Sequence, residues 1–263
     1  MTALLLGRKL TICASVKVRD GLVIGTDSMA QIQGTISTGV VGVIKAYSNA
    51  RKLFQIGHLP VGAMAYGAGN IGIRSIQGLM LDFKPTMSDV KGVTGELFNF
   101  IKPLYDSAFG SLGQKPFLGF YVAGYSPNQP FADEWEFLLP RDAGAIQVKA
   151  QNVMGACWRG IDLVFTRLIK GFDPRIVQRL QTAGLTQPQI DTVLKGLEPS
   201  VIFDGMPVQD AINYATFILR TTIGMSTFEA GVASCGGPLQ MAIILPVSGF
   251  EWVTNSKFEV QIV

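Results

Sequence analysis

The chain has 263 residues, enough to bury a full hydrophobic core, with a net charge of only +3. Charged residues make up 16 % and apolar residues 48 %, which excludes a disordered chain and points to surface hidden in an assembly. The most apolar windows, Leu22–Ile24, Val61–Ala65 and Met241–Val247, are short and interrupted, so no membrane span is expected.

No Lys/Arg cluster with interleaved aromatics suggests a nucleic-acid partner. The opening residues place their apolar side chains ahead of their charges, the reverse of a secretory signal, and the expected location is cytoplasmic. Cys13, Cys157 and Cys235 are widely spaced and His58 is the only histidine, so neither a Cys/His metal site nor a disulfide framework is expected. The three cysteines read as small buried hydrophobes.

In chain order, Leu10–Arg19 alternates as a strand, with Thr11, Cys13, Ser15 and Lys17 on one face and Ile12, Ala14, Val16 and Val18 on the other. Asp20-Gly21 is a hairpin signal, and Leu22–Thr26 returns to Asp27-Ser28. A Gly/Ser/Thr-rich stretch to Asn49 carries no clear assignment. Lys52–Ile56 and Val61–Ala65 form the next expected hairpin, turning at Gly57 to Pro60. Helical spacing predicts Asn70–Phe83 and Ser88–Tyr105, the latter with Ser88 as N-cap. Strands are expected at Phe117–Ala123, Trp135–Leu139 and Ile146–Gln151, then a helix at Gly160–Ile169. Pro174–Leu197 reads as a helical hairpin, with Thr186 capping and Pro188 in the first turn. Late strands fall at Leu239–Leu245 and Phe250–Val253.

Strands in hairpins and helices in blocks indicate an α+β fold, two antiparallel sheets between helix layers. One domain over residues 1–263 is expected, with a helical insertion at about 172–200.

Motifs for a serine elbow, a Walker loop or a zinc protease are absent. Gly67–Gly72 spells G-x-G-x-x-G, but without a βαβ context. His58 sits beside Gly57 and Pro60 in a turn, which leaves a histidine-based triad without support. A hydroxyl can instead use a free α-amine as its base, because that amine titrates near neutrality.

At this point the chain resembles the proteasome β-subunit family. Thr11 to Asp27-Ser28 is similar to that family's opening hairpin, with sixteen positions from Thr11 to Asp27. Arg51-Lys52-Leu53-Phe54-Gln55-Ile56 resembles its lysine segment, and Gly62 to Asn70 its oxyanion segment. Cys235-Gly236-Gly237-Pro238-Leu239 is similar to its late glycine turn, and the bacterial ancestral-type β-subunits are the nearest branch.

The resemblance implies a four-layer αββα N-terminal-nucleophile (Ntn) hydrolase. Thr11 is the implied nucleophile, Asp27 and Lys52 tune it, and a backbone N–H at Tyr66 or Gly67 holds the oxyanion. Met64 and Ala68 line the implied substrate pocket, and Ser28 holds Asp27 by a hydrogen bond. No cofactor or metal is implied. The implied partners are other copies of the chain, in a ring or spiral, and a peptide or unfolded-protein substrate; any unfoldase is unspecified.

Leu10 stands where self-processing members carry glycine before the threonine, so exposure of the amine needs removal of residues 1–10 or initiation at Leu10. The family's supporting serine near Met154 to Cys157 is Ala156 here. Its late aspartate and serine are Val232 and Cys235, with Glu229 as a possible acid. Three functions follow: a threonine peptidase, a catalytically silent ring subunit that keeps its first ten residues, or an amide hydrolase or ligase with a small-molecule or single-protein substrate.

Overall fold

The computed structural model describes residues 11–37 and 40–254. Leu10 and the segment before it lie outside the described residues. In chain order the elements are β1 (Ile12–Val18), β2 (Gly21–Thr26), β3 (Ala30–Ser37), β4 (Val40–Tyr47), β5 (Leu53–Gln55), β6 (Val61–Gly67), β7 (Asn70–Ile71) and β8 (Arg74–Ser75). Helices α1 (Ile76–Asp82) and α2 (Val90–Phe109) follow, then β9 (Leu118–Gly124), β10 (Asp133–Leu139), β11 (Ile146–Gln147) and β12 (Gly155–Gly160). The chain continues with α3 (Leu163–Lys170), α4 (Arg175–Thr182), α5 (Gln187–Leu194), α6 (Val208–Phe228), β13 (Gln240–Leu245) and β14 (Gly249–Trp252). The fold is mixed α+β.

Two antiparallel five-stranded sheets organise the chain. One has the order β12-β1-β2-β13-β14, the other β11-β10-β9-β6-β5. The alternation in β1 decides what each face meets. Ile12, Ala14, Val16 and Val18 pack with Phe165 of α3 and with Ala211, Ala215, Ile218 and Leu219 of α6. The alanines let α6 lie close to the sheet. On the other face, Cys13 joins Leu22, Ile24, Ala242 and Ile244 against Leu53, Met64, Tyr66, Tyr121 and Ala123 of the second sheet. The second sheet's remaining face packs Ala63, Ala65, Phe120 and Phe137 against Leu79 of α1 and Val93, Leu97 and Ile101 of α2.

Several boundaries differ from expectation for local reasons. The first helix begins at Ile76, capped by Ser75, because residues 70–75 form the short β7–β8 hairpin around Gly72 at φ +58°. Asp89, whose carboxylate accepts from Gly92 N at 2.8 Å, caps α2 in place of Ser88. Residues 155–160, which carried no strand expectation, are strand β12, paired with β1 from Ile12↔Gly160 to Lys17↔Gly155. The expected strand at 146–151 shortens to β11. The unassigned stretch before Asn49 holds β3 and β4, a two-stranded sheet. Thr186 caps α5 in a capping box with Gln189, as its sequence pattern predicts.

The polar side chains of β1 are buried between the sheets, which the alternation alone did not indicate. Glu134 of β10 accepts hydrogen bonds from Ser15 and, at 2.8 Å, from the Tyr121 hydroxyl. Its other oxygen lies 3.3 Å from Lys17 Nζ and 3.2 Å from Lys149 Nζ. Lys17 Nζ also donates to the carbonyls of Ala132, Ala150 and Gln151. Burial pushes the Glu134 carboxyl up, but the two ammonium groups and two hydroxyls outweigh it, leaving the carboxyl below its ordinary range.

Candidate active site

The hairpin of β1 and β2 ends with Thr11 at one terminus and Asp27 at the other, held together by Asp27 N donating to Ile12 O at 3.2 Å. Lys52 reaches the same point from the second sheet, just before β5. Its Nζ donates to Thr11 Oγ1 at 2.7 Å and to Asp27 Oδ1 at 2.9 Å. The three residues singled out from sequence therefore converge. All three are buried, Lys52 with 11 % of its side chain exposed and Asp27 with none.

A buried carboxylate needs donors as well as a counter-charge. Asp27 Oδ1 accepts from Ile12 N at 3.2 Å, and Oδ2 accepts from Met29 N at 3.2 Å and Gly236 N at 3.0 Å. The glycine turn at 235–237 thus serves the carboxylate through its backbone. That turn is shaped by a residue the sequence reading passed over: Ser226 of α6, whose hydroxyl accepts from Ser234 N at 2.8 Å and Cys235 N at 3.3 Å. Gln240 of β13 was likewise missed; its side chain bonds the backbone from Ala50 to Leu53. Gln240 carries no local signal, because the fold alone brings it to a segment 187 to 190 residues away.

Ser28 does not hold Asp27. Its hydroxyl lies 2.5 Å from Ser48 O and 2.6 Å from Pro238 O, tying the loop after β4 to the glycine turn. The Asp27 oxygens already face Lys52 and the three N–H groups.

Thr11 itself has φ +82°, a conformation rarely adopted by a β-branched residue. It opens onto a cleft of about 680 Å³. Tyr66, Gly67 and Ala68 line this cleft, with Ala30, Ala50 and Ala65. Met64 does not: it is buried between the sheets, packed with Leu53 and Tyr121, one residue pair further into the sheet than Tyr66. Burial drives the Tyr66 phenol well above its ordinary range, so it stays neutral. Gly67 has φ +96°, and a Cβ there would lie 2.4 Å from Phe117 O, so the chain can make this corner only with glycine.

Cys235 and Cys13 flank the site. Burial first, with the nearby Asp27 charge in the same direction, pushes both thiols up to about 12. They are neutral and ill suited to nucleophilic work. His58 is exposed in its turn, away from these residues.

Solved structures share this architecture. The ancestral β-subunit Anbu from Yersinia bercovieri superposes with a TM-score of 0.53 at 13 % identity, covering 93 % of this chain and 88 % of its own. Anbu from Pseudomonas aeruginosa, solved as a helical assembly, gives 0.51 at 17 % identity over 94 % and 88 %. A mutant Anbu from Hyphomicrobium sp. strain MC1 gives 0.52 at 13 % identity over the same shares. The fold is proteasome-like. No protein-family model and no curated protein sequence matches the chain.

Among the described residues, no helix is long and apolar enough to cross a membrane.

Proposed function

We propose that this chain is a proteasome-like threonine peptidase of the Ntn hydrolase type, acting in the cytoplasm of a bacterium. The single observation that carries the reading is the Lys52 ammonium bridging Thr11 Oγ1 at 2.7 Å and Asp27 at 2.9 Å. The three apolar clusters, helix on sheet, sheet on sheet and sheet on helix, support a four-layer αββα arrangement. Helices α4 and α5 are read as an insertion in one domain.

In the proposed reaction, Thr11 Oγ1 attacks the peptide carbonyl carbon and passes its proton to the free Thr11 α-amine. The Lys52 ammonium stabilises negative charge on the oxygen, and Asp27 holds the ammonium in place. The oxyanion is received by the Gly67 N–H. Ala65 N donates to Lys52 O at 2.9 Å, and N–H direction alternates along β6, which supports Gly67 N lying on the same edge, beyond the β5 pairing. The amine then protonates the leaving amine, and water cleaves the Thr11 ester. Ala68 with Ala65 and Ala50 walls the space for the substrate side chain.

The α-amine is free only once residues 1–10 are gone. Leu10 in the place of glycine favours a second reading, a catalytically silent ring subunit that retains them. Intact-protein mass spectrometry of wild type beside Thr11→Ala separates the two. Loss of residues 1–10 in the wild type alone supports the peptidase; retention in both supports the silent subunit. We also propose self-assembly into a ring or spiral, in keeping with the helical assembly of the Pseudomonas protein.

A further inference from the structure

Gln240 lies on β13, paired beside Thr26 in the sheet that carries Thr11 and Asp27. Its carboxamide reaches out of that sheet to the segment preceding β5. Oε1 accepts from Lys52 N at 2.9 Å and from Leu53 N at 3.1 Å, while Nε2 donates to Ala50 O at 2.9 Å. Two N–H groups face one end of the amide and a carbonyl faces the other, so the orientation of the side chain follows from its partners. Only a primary amide supplies both an acceptor and a donor in this span.

The Lys52 peptide is consequently held on both sides. Gln240 takes its N–H, and Ala65 N takes its C=O at 2.9 Å. The ammonium sits at the end of a flexible four-carbon stem. Its distance to Thr11 Oγ1 therefore depends on where the backbone is anchored relative to the first sheet, and Gln240 is a direct tie between that sheet and the Lys52 backbone. Ser28 O adds a neighbouring tie, accepting from Ala50 N at 2.8 Å.

We infer that Gln240 is a positioning residue for the Thr11 site, setting the Lys52 ammonium between Thr11 Oγ1 and Asp27. This rests on the peptidase reading above for its catalytic consequence, but not for its structural one. Loss of the tie moves the charge and also frees Ala50 on the cleft wall, so the chemical step is expected to suffer most, with a smaller effect on substrate binding. A displacement of about 1 Å at a catalytic group costs on the order of 10²-fold in rate.

The test uses the full-length chain as wild type, Gln240→Met and Gln240→Glu. The three are compared by acylation with a peptide β-lactone, by hydrogen exchange at the amides of Lys52 and Leu53, and by the NMR chemical shifts of the Lys52 side chain. Gln240→Glu keeps the acceptor for both amides, so its exchange protection stays near wild type. Gln240→Met is expected to lose that protection and to move the Lys52 side-chain shifts away from their wild-type positions. Its maximal acylation rate is expected to fall about 10²-fold, with a smaller change in the half-saturating probe concentration. The inference is overturned if folded Gln240→Met keeps wild-type acylation and wild-type Lys52 shifts, or, should Gln240→Met not fold, if Gln240→Glu exposes the two amides as fully as an unstructured loop. If wild type itself is never acylated, the peptidase reading fails, and exchange and the Lys52 shifts still decide the role of Gln240.

Discussion

Lys52 is the residue on which both chemistry and stability converge, because Asp27 is fully buried and, among the described residues, is paired with no other cation. Replacing Lys52 by Met leaves that carboxylate with three backbone N–H donors but no counter-charge. A buried ion stripped of its partner typically costs about 3–5 kcal/mol, and the retained donors place this case near 3 kcal/mol. Urea unfolding of Lys52→Met checks the figure. Among the described residues Thr11→Ala removes the one side-chain hydrogen bond to Lys52 Nζ, and it is expected to lose about 1 kcal/mol while abolishing acylation. The thiols make a separate prediction about pH. Cys13 and Cys235 ionise near 9.0 when exposed but only at about 12 in the fold. Between those values the unfolded chain has lost protons the folded one keeps, so stability falls as pH rises. Each thiol contributes about 1.4 kcal/mol per pH unit in that window. Melting curves from pH 8 to 11 should fall more steeply in wild type than in Cys13→Ala/Cys235→Ala.

At the scale of elements, the β6 corner and the buried network between sheets each allow a test. Gly67→Ala must place a Cβ 2.4 Å from Phe117 O at φ +96°, so about 2 kcal/mol or more of stability is expected to go, and acylation with it. Lys17→Met leaves Glu134 with Lys149 as its remaining cation, for an expected loss of about 3 kcal/mol. Adding Glu134→Gln should recover part of that loss, because the pair is coupled. Thermal unfolding of the single and double variants provides the check. These elements also mark how far the sequence could be read. The β1–β2 hairpin was legible because Asp20-Gly21 punctuates an alternating strand and a short apolar return. Strands β3 and β4 were not, since their Gly, Ser and Thr residues offer no apolar period. β12 carried no strand expectation, and only its pairing with β1 makes it a strand. Thr11, Asp27 and Lys52 were found through family-like spacing. Gln240 was invisible for a physical reason: its partners at Ala50 to Leu53 lie 187 to 190 residues away, whereas Ser226 is only eight residues from Ser234 but sits in no motif that marks its hydroxyl.

On the scale of the whole molecule, charged residues make up only 16 % of the chain. Ile44, Phe228 and Val247 are 60 %, 87 % and 97 % exposed. Scattered apolar residues are ordinary, but together with sparse charge they support association between copies. Light scattering at micromolar concentration should therefore return a multiple of 28.3 kDa, and a monomer would contradict the assembly.

The claim that Thr11 is the nucleophile is tested most directly by intact-mass and peptide mapping after treatment with a peptide β-lactone. The account predicts one adduct per chain, on Thr11, formed on a product that begins at Thr11 and absent from Thr11→Ala and Lys52→Met. A wild-type chain that carries a free Thr11 amine yet takes up no adduct, or takes it up elsewhere, would contradict it.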